Sequence, residues 1–136
     1  MKNILLDTNA YSALRQGDQK IFDVICDAQK IYISSIVMGE LYAGFFNGVK
    51  TQENIKQLHC FLEKGSVESV FVTDETAEIY GHLFTILKKN GTPLPLNDIW
   101  IAAQTMELGA VLISYDKHFK NIEVYVFLLN HNLSAD

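Results

Sequence analysis

Four acidic residues at well-separated points of the chain, Asp7, Glu40, Asp98 and Asp116, can do chemistry together. Asp7 follows the apolar run Ile4-Leu5-Leu6, and Glu40 lies inside the helical stretch Ser35 to Phe46. Asp98 opens the helix that begins Asn97-Asp98-Ile99-Trp100, and Asp116 follows Val111-Leu112-Ile113-Ser114-Tyr115. Carboxylates at the ends of buried strands and in the first turn of a helix can converge on one pocket. Each pair brought to about 5 Å repels by roughly 3 kcal/mol at an effective dielectric near 20, so protons or a cation must enter. All-oxygen ligation suits Mg2+, with Mn2+ as a substitute. A cation held by few carboxylates keeps waters, and one of these can be deprotonated to attack phosphorus. The expected chemistry is hydrolysis of a phosphate ester.

Taken singly, three of the acids also have ordinary structural roles. Asp98 favours a helix N-terminus, worth about 0.3–1 kcal/mol. Asp116 can open a turn before Lys117-His118-Phe119, and Asp7 can cap the first helix. Glu40 fits such a role least. Its neighbours at three and four positions, Ile36, Val37, Ala43 and Gly44, are apolar or small. That predicts a buried face on which an unpaired carboxylate is expensive.

The elements that must position these residues follow from periodicity and punctuation. Lys2 to Leu6 reads as a continuously apolar strand of a parallel sheet. Helices follow over Thr8 to Leu14 and Gln19 to Ala28, then a second strand over Lys30 to Ile33. Ser34-Ser35 cap a helix through Phe46, stopped by Asn47-Gly48. A helix over Thr51 to Lys64, a strand over Val67 to Val72 and a long helix from Thr73-Asp74 to Lys89 come next. Thr92-Pro93-Leu94-Pro95-Leu96 is extended, because proline biases its predecessor away from helix. Asn97 caps the next helix, which ends at Gly109. Ala110 to Ser114 is the fourth strand and Glu123 to Phe127 the fifth. This alternation predicts a three-layer α/β domain, with helices flanking a mainly parallel five-stranded sheet. Residues 1–128 form that single domain and 129–136 a short polar tail. Ligands of such sheets bind beyond the carboxyl ends of the strands, where Asp7, Ser34 and Asp116 all lie.

A chain of 136 residues, 49% apolar and 20% charged, is long enough for a real core. No apolar run approaches the roughly 20 residues of a membrane span, and no signal-peptide pattern opens the chain, so a cytoplasmic protein without membrane contact is expected. Cys26 and Cys60 read as buried small hydrophobes rather than a disulfide. The histidines (His59, His82, His118, His131) form no short-spaced ligand pair, which argues against zinc. The formal charge is −5, so a nucleic-acid substrate would need local cations and bound metal. Lys117, Lys120 and Arg15 are candidates for holding phosphate, against the ordinary reading of exposed cations as solvated surface. Trp100, about 200° around the helix from Asp98, reads as packing rather than base stacking. His118 is assigned a surface role.

Asp7-Thr8-Asn9, Ser34 with Gly39-Glu40-Leu41, Asn97-Asp98-Ile99-Trp100-Ile101-Ala102-Ala103 and Ser114-Tyr115-Asp116-Lys117-His118-Phe119 together resemble the PIN-domain ribonucleases. More narrowly, they are similar to the VapC toxins of type II toxin–antitoxin modules. The resemblance implies a PIN-like fold and Mg2+-dependent cleavage of RNA phosphodiester bonds as the toxin of a VapBC-type pair. It matches Asp7, Glu40, Asp98 and Asp116 to the catalytic, metal-binding acids, with Asp7 and Asp98 as the principal ligands. It matches Asn9 and Ser114 to polar positions that hold the site or contact substrate, beside Lys117. It implies a homodimer, a VapB-like antitoxin, and contact with DNA only through that antitoxin. Two other readings stand beside it. A phosphatase with an aspartate nucleophile would want a second acid two residues after Asp7, where Asn9 stands. A catalytically silent PIN-fold module would bind RNA or protein without cutting.

Overall fold

The first strand, β1 (Asn3–Leu6), is apolar from its second residue on, and Ile4, Leu5 and Leu6 are fully buried. Such a run belongs in the middle of a parallel sheet covered on both faces. In the computed structural model, which describes residues 3–121 and 126–128, β1 pairs in parallel with β2 (Lys30–Ser34) on one side and β4 (Val111–Ser114) on the other. β2 carries β3 (Val67–Val70) on its far side, giving the order β3-β2-β1-β4. A three-residue strand, β5 (Val126–Leu128), adds in parallel at the β4 edge. Positions 123–125 of the expected fifth strand and the expected tail, 129–136, lie outside the described residues.

Helices α1 (Thr8–Arg15), α2 (Gln19–Asp27), α3 (Ser35–Asn47), α4 (Thr51–Leu62), α5 (Asp74–Lys89) and α6 (Leu96–Leu108) fill the connections. α1 packs on β1 and β4, α3 on β2, α4 on β3 and α6 on β4, while α5 and α6 pack along each other. Parallel strands need such crossovers, and the crossovers bring successive strand ends to one edge. Gly109, at φ 61°, closes α6 in the left-handed conformation that glycine adopts without strain and feeds β4. Among the described residues no helix is long and apolar enough to cross a membrane.

Several local expectations are corrected. α6 begins at Leu96 behind Pro95, so Asn97 sits inside the first turn and does not cap it. Pro95 itself is the N-cap, its carbonyl accepting the Asp98 and Ile99 N–H groups at 3.0 and 3.2 Å, and no side chain caps the helix. β3 stops at Val70, and Phe71 and Val72 are exposed beyond it. Cys26 and Cys60 are exposed free thiols. Cys60 lies one position from buried Phe61 and two from buried Leu58, so the 100° step per residue turns it outward.

Candidate active site

Asp7 sits where β1 turns into α1, at the carboxyl edge of the sheet. Its Oδ1 accepts the Ala10 N–H at 2.8 Å, so it caps α1 as a short polar side chain can. Its Oδ2 accepts the hydroxyl of Ser114, the last residue of β4. The Ser114 hydroxyl also accepts the Asp116 N–H at 2.8 Å. One buried hydroxyl thus ties the ends of β1 and β4 together and fixes the backbone that carries Asp116. Ser114 is fully buried, so of its two implied roles the geometry favours holding the site over touching substrate.

Asp7 is 6% exposed, and burial pushes its carboxyl up to about 6, against the lowering effect of the Ser114 and Ala10 hydrogen bonds. The charges of Asp116 and Glu40 push in the same direction as burial. Asp98, in the first turn of α6, is also raised to about 6. Burial is the main cause, followed by the charges of Asp116, Glu40 and Asp7. The four acids therefore form one electrostatic neighbourhood, drawn from β1, α3, α6 and the segment after β4.

Glu40 departs from expectation in its surroundings. It is half-buried, and Ala43 and Gly44 on its face are exposed. Its partner is the Thr8 hydroxyl, which donates to Oε1 at 2.6 Å and joins α3 to the start of α1. The expected buried face is only half there: Val37 is buried, but the Ala43 and Gly44 end of this side of α3 is open.

Asp116 has a side chain 28% exposed, and its Oδ1 accepts the His118 N–H at 2.9 Å. The His118 ring Nδ1 lies 2.9 Å from the same oxygen, and its side chain is 71% exposed. His118 is thus on the surface, as expected, but it touches a site acid. Asn9 and Lys117 are exposed, next to the Asp7 and Asp116 segments. Trp100 stacks on Tyr80 with ring centroids 3.9 Å apart, which makes it packing.

Two positioning contacts escaped the sequence reading. Thr8 to Glu40 spans 32 positions, and the Tyr115 hydroxyl donating to Asp18 spans 97. The second ties the loop between Ser114 and Asp116 to the start of α2. Nothing in the local sequence marks either pair, although Thr8 stands inside the Asp7-Thr8-Asn9 motif.

Among the described residues no three Asp, Glu, His or Cys side chains stand close enough together to hold a metal ion as they are placed. The donor set is nonetheless all carboxylate, and Asp7 and Asp98 are raised by burial and by the charges of neighbouring acids. That is the environment a hard divalent cation relieves, so the residues fit such an ion in chemistry.

Comparison with known proteins agrees with this architecture. The PIN domain profile matches residues 4–125. Ribonuclease VapC2 of Rickettsia felis is 30% identical over 123 residues, covering 87% of this chain and 90% of that protein. Ribonuclease VapC1 of Haemophilus influenzae (strain R2866) is 29% identical over 123 residues with the same coverage. A chain in the crystal structure of VapBC2 from Rickettsia felis, bound to a DNA fragment from their promoter, superposes with a TM-score of 0.83. It is 26% identical, and the match covers 94% of this chain and 99% of that one. This chain belongs to the PIN-domain family, among the VapC proteins.

Proposed function

We propose that the protein is a Mg2+-dependent endoribonuclease and the toxin of a VapBC-type pair, held by a VapB-like antitoxin and acting as a homodimer. Contact with DNA would come through the antitoxin. The observation that carries the reading is the pair Asp7 and Asp98, both raised to about 6 in one neighbourhood with Glu40 and Asp116. Four acids from four elements have no structural reason to meet at a sheet edge, since their repulsion destabilises the empty site. The matched VapC proteins named as ribonucleases point the same way.

Asp7 and Asp98 would hold the ion, with Asp116 and Glu40 completing its surroundings. When bound, the ion supplies Lewis-acid polarisation of the phosphodiester and a water of lowered pKa. The chain's own part is orientation. Ser114 fixes Asp7 and the Asp116 backbone, while Thr8 aims the Glu40 carboxylate. Asn9 and Lys117 are the residues proposed to meet the RNA, being exposed beside these acids.

One observation favours the silent binding module: no three described acids are yet spaced to hold a metal. Incubating purified protein with labelled RNA in Mg2+ and in EDTA decides between the two. Cleavage in Mg2+ that EDTA stops supports the ribonuclease; RNA that stays intact at every metal concentration supports the silent module.

A further inference from the structure

The cations of this acidic chain are unevenly placed. A cleft of about 530 Å3 and a second of about 380 Å3 adjoin on the α1–α4 side, sharing Arg15, Glu53 and Gln57. Their walls carry Arg15, Lys50, Lys56 and Lys64 against the single carboxylate Glu53. A local charge of +3 stands on a chain whose formal charge is −5. Among the described residues none of the four cations is in an ion pair. Arg15 lies over the Tyr11 ring at 5.7 Å, which holds its guanidinium at the cleft wall.

An exposed aromatic pair lies on α3, the helix that also reaches the larger cleft through Phe45. Phe45 lines the larger cleft, and its neighbour Phe46 is 66% exposed with its ring stacked on Tyr42, centroids 5.9 Å apart. A large exposed ring held parallel to a second ring presents an open face. Uncompensated cations in the clefts and an exposed ring on a helix that reaches them are the combination that holds single-stranded nucleic acid, with phosphates on the charges and bases on the rings.

The two helices that reach the clefts also carry site acids. α1 runs from Asp7 at its cap to Arg15 at its end, and eight residues at 1.5 Å span about 12 Å. α3 carries Glu40 and, six positions on, Phe46, about 9 Å further along. A strand cut at the acids would be led along these helices to the clefts.

We propose that the α1–α4 face binds single-stranded RNA flanking the cut, its phosphates on Arg15, Lys50, Lys56 and Lys64 and a base on Phe46. The inference rests on the ribonuclease reading. It also answers how a chain of net charge −5 holds a polyanion.

The test measures binding of a labelled single-stranded RNA to Asp98→Asn protein over a salt series, so that cleavage does not intrude. Replacing Lys50, Lys56 and Lys64 together by Gln leaves Arg15 on Tyr11 and should leave the melting temperature unchanged. The slope of log K against log salt should then fall by about 2, since each phosphate contact on a single strand contributes about 0.7. Phe46→Ala should weaken binding roughly tenfold with the slope unchanged, because stacking carries no counterion release. An unchanged slope and affinity in the triple variant, with cleavage by the otherwise wild-type chain intact, overturns the inference and leaves the face to a protein partner. If the wild type neither cuts nor binds RNA, the ribonuclease reading itself fails and takes this inference with it.

Discussion

Asp7 and Asp98 set the behaviour of the site through their proton affinities. Both carboxyls lie at about 6, above the ordinary value of 3.8, so the folded state binds these protons more tightly than the unfolded chain. Their protonation stabilises the fold below about pH 4, and that stability is lost as pH rises through about 6. For buried Asp7 the span from 3.8 to about 6 amounts to about 3 kcal/mol. In EDTA the melting temperature should therefore fall between pH 4.5 and pH 7. Asp98→Asn should flatten that fall, keep the fold and abolish RNA cleavage. The amide loses about 0.3–1 kcal/mol of favourable charge near the α6 N-terminus, which relief of repulsion from three acids offsets. A variant that still cuts at the wild-type rate in Mg2+ removes Asp98 from the site. Ser114 is the other residue to test, because one hydroxyl serves both Asp7 and the Asp116 backbone. Ser114→Ala should lower cleavage by about 10–100-fold while RNA affinity holds, the loss expected when a partner that orients a ligand is removed. Weakened RNA binding with an unchanged cleavage rate would instead make Ser114 a substrate contact.

The elements were legible wherever hydrophobic pattern alone decides them. β1, β2 and β4 are built on the apolar runs Ile4 to Leu6, Ile31 to Ile33 and Val111 to Ile113, and each was expected within a residue or two of where it lies. Boundaries set by tertiary context were not legible: Pro95 starts α6 without a side-chain cap, and β3 ends before Phe71. Asp7, Asp98 and Asp116 were found because each follows a strand or opens a helix, and topology sends those points to one edge; Glu40, inside α3, stood out only as a carboxylate among apolar neighbours. Their partners were not found, because Thr8 with Glu40 and Tyr115 with Asp18 meet across long separations that no local pattern encodes. α3 shows the consequence. From its sequence neighbours, Glu40 should lie on a buried face. In the fold that face is half open, and Thr8 satisfies the carboxylate. Glu40→Gln keeps an oxygen for Thr8 and a good helix former, so its denaturation midpoint should match the wild type while cleavage is largely lost. Glu40→Leu leaves Thr8 to find water and buries little apolar surface, so it should destabilise by about 1 kcal/mol. Full cleavage by the Gln variant would show that the Glu40 charge is not used.

At the scale of the whole molecule, the acids come from separate segments held together against their own repulsion. Asp7 closes β1, Glu40 rides on α3, Asp98 starts α6 and Asp116 follows β4. The unfolded chain scatters these points, so an ion that needs several of them binds only the folded state. Such an ion stabilises by about 2.7 kcal/mol at a hundredfold excess over its dissociation constant. For a domain of this size that amounts to several degrees in melting temperature. Mg2+ or Mn2+ should raise the wild-type melting temperature accordingly, and Asp98→Asn should show little of the rise. Protons and the ion compete for the same oxygens, so the rise should be full near pH 7.5 and shrink as pH falls through about 6, where Asp7 and Asp98 take up protons. This profile separates binding at the acids from binding elsewhere. Ordinary surface carboxylates titrate near 4, so an ion held by them would keep its effect down to pH 5. A melting temperature that Mg2+ leaves unmoved at pH 7.5, or raises equally at pH 5 and in Asp98→Asn, would take the cation away from this site.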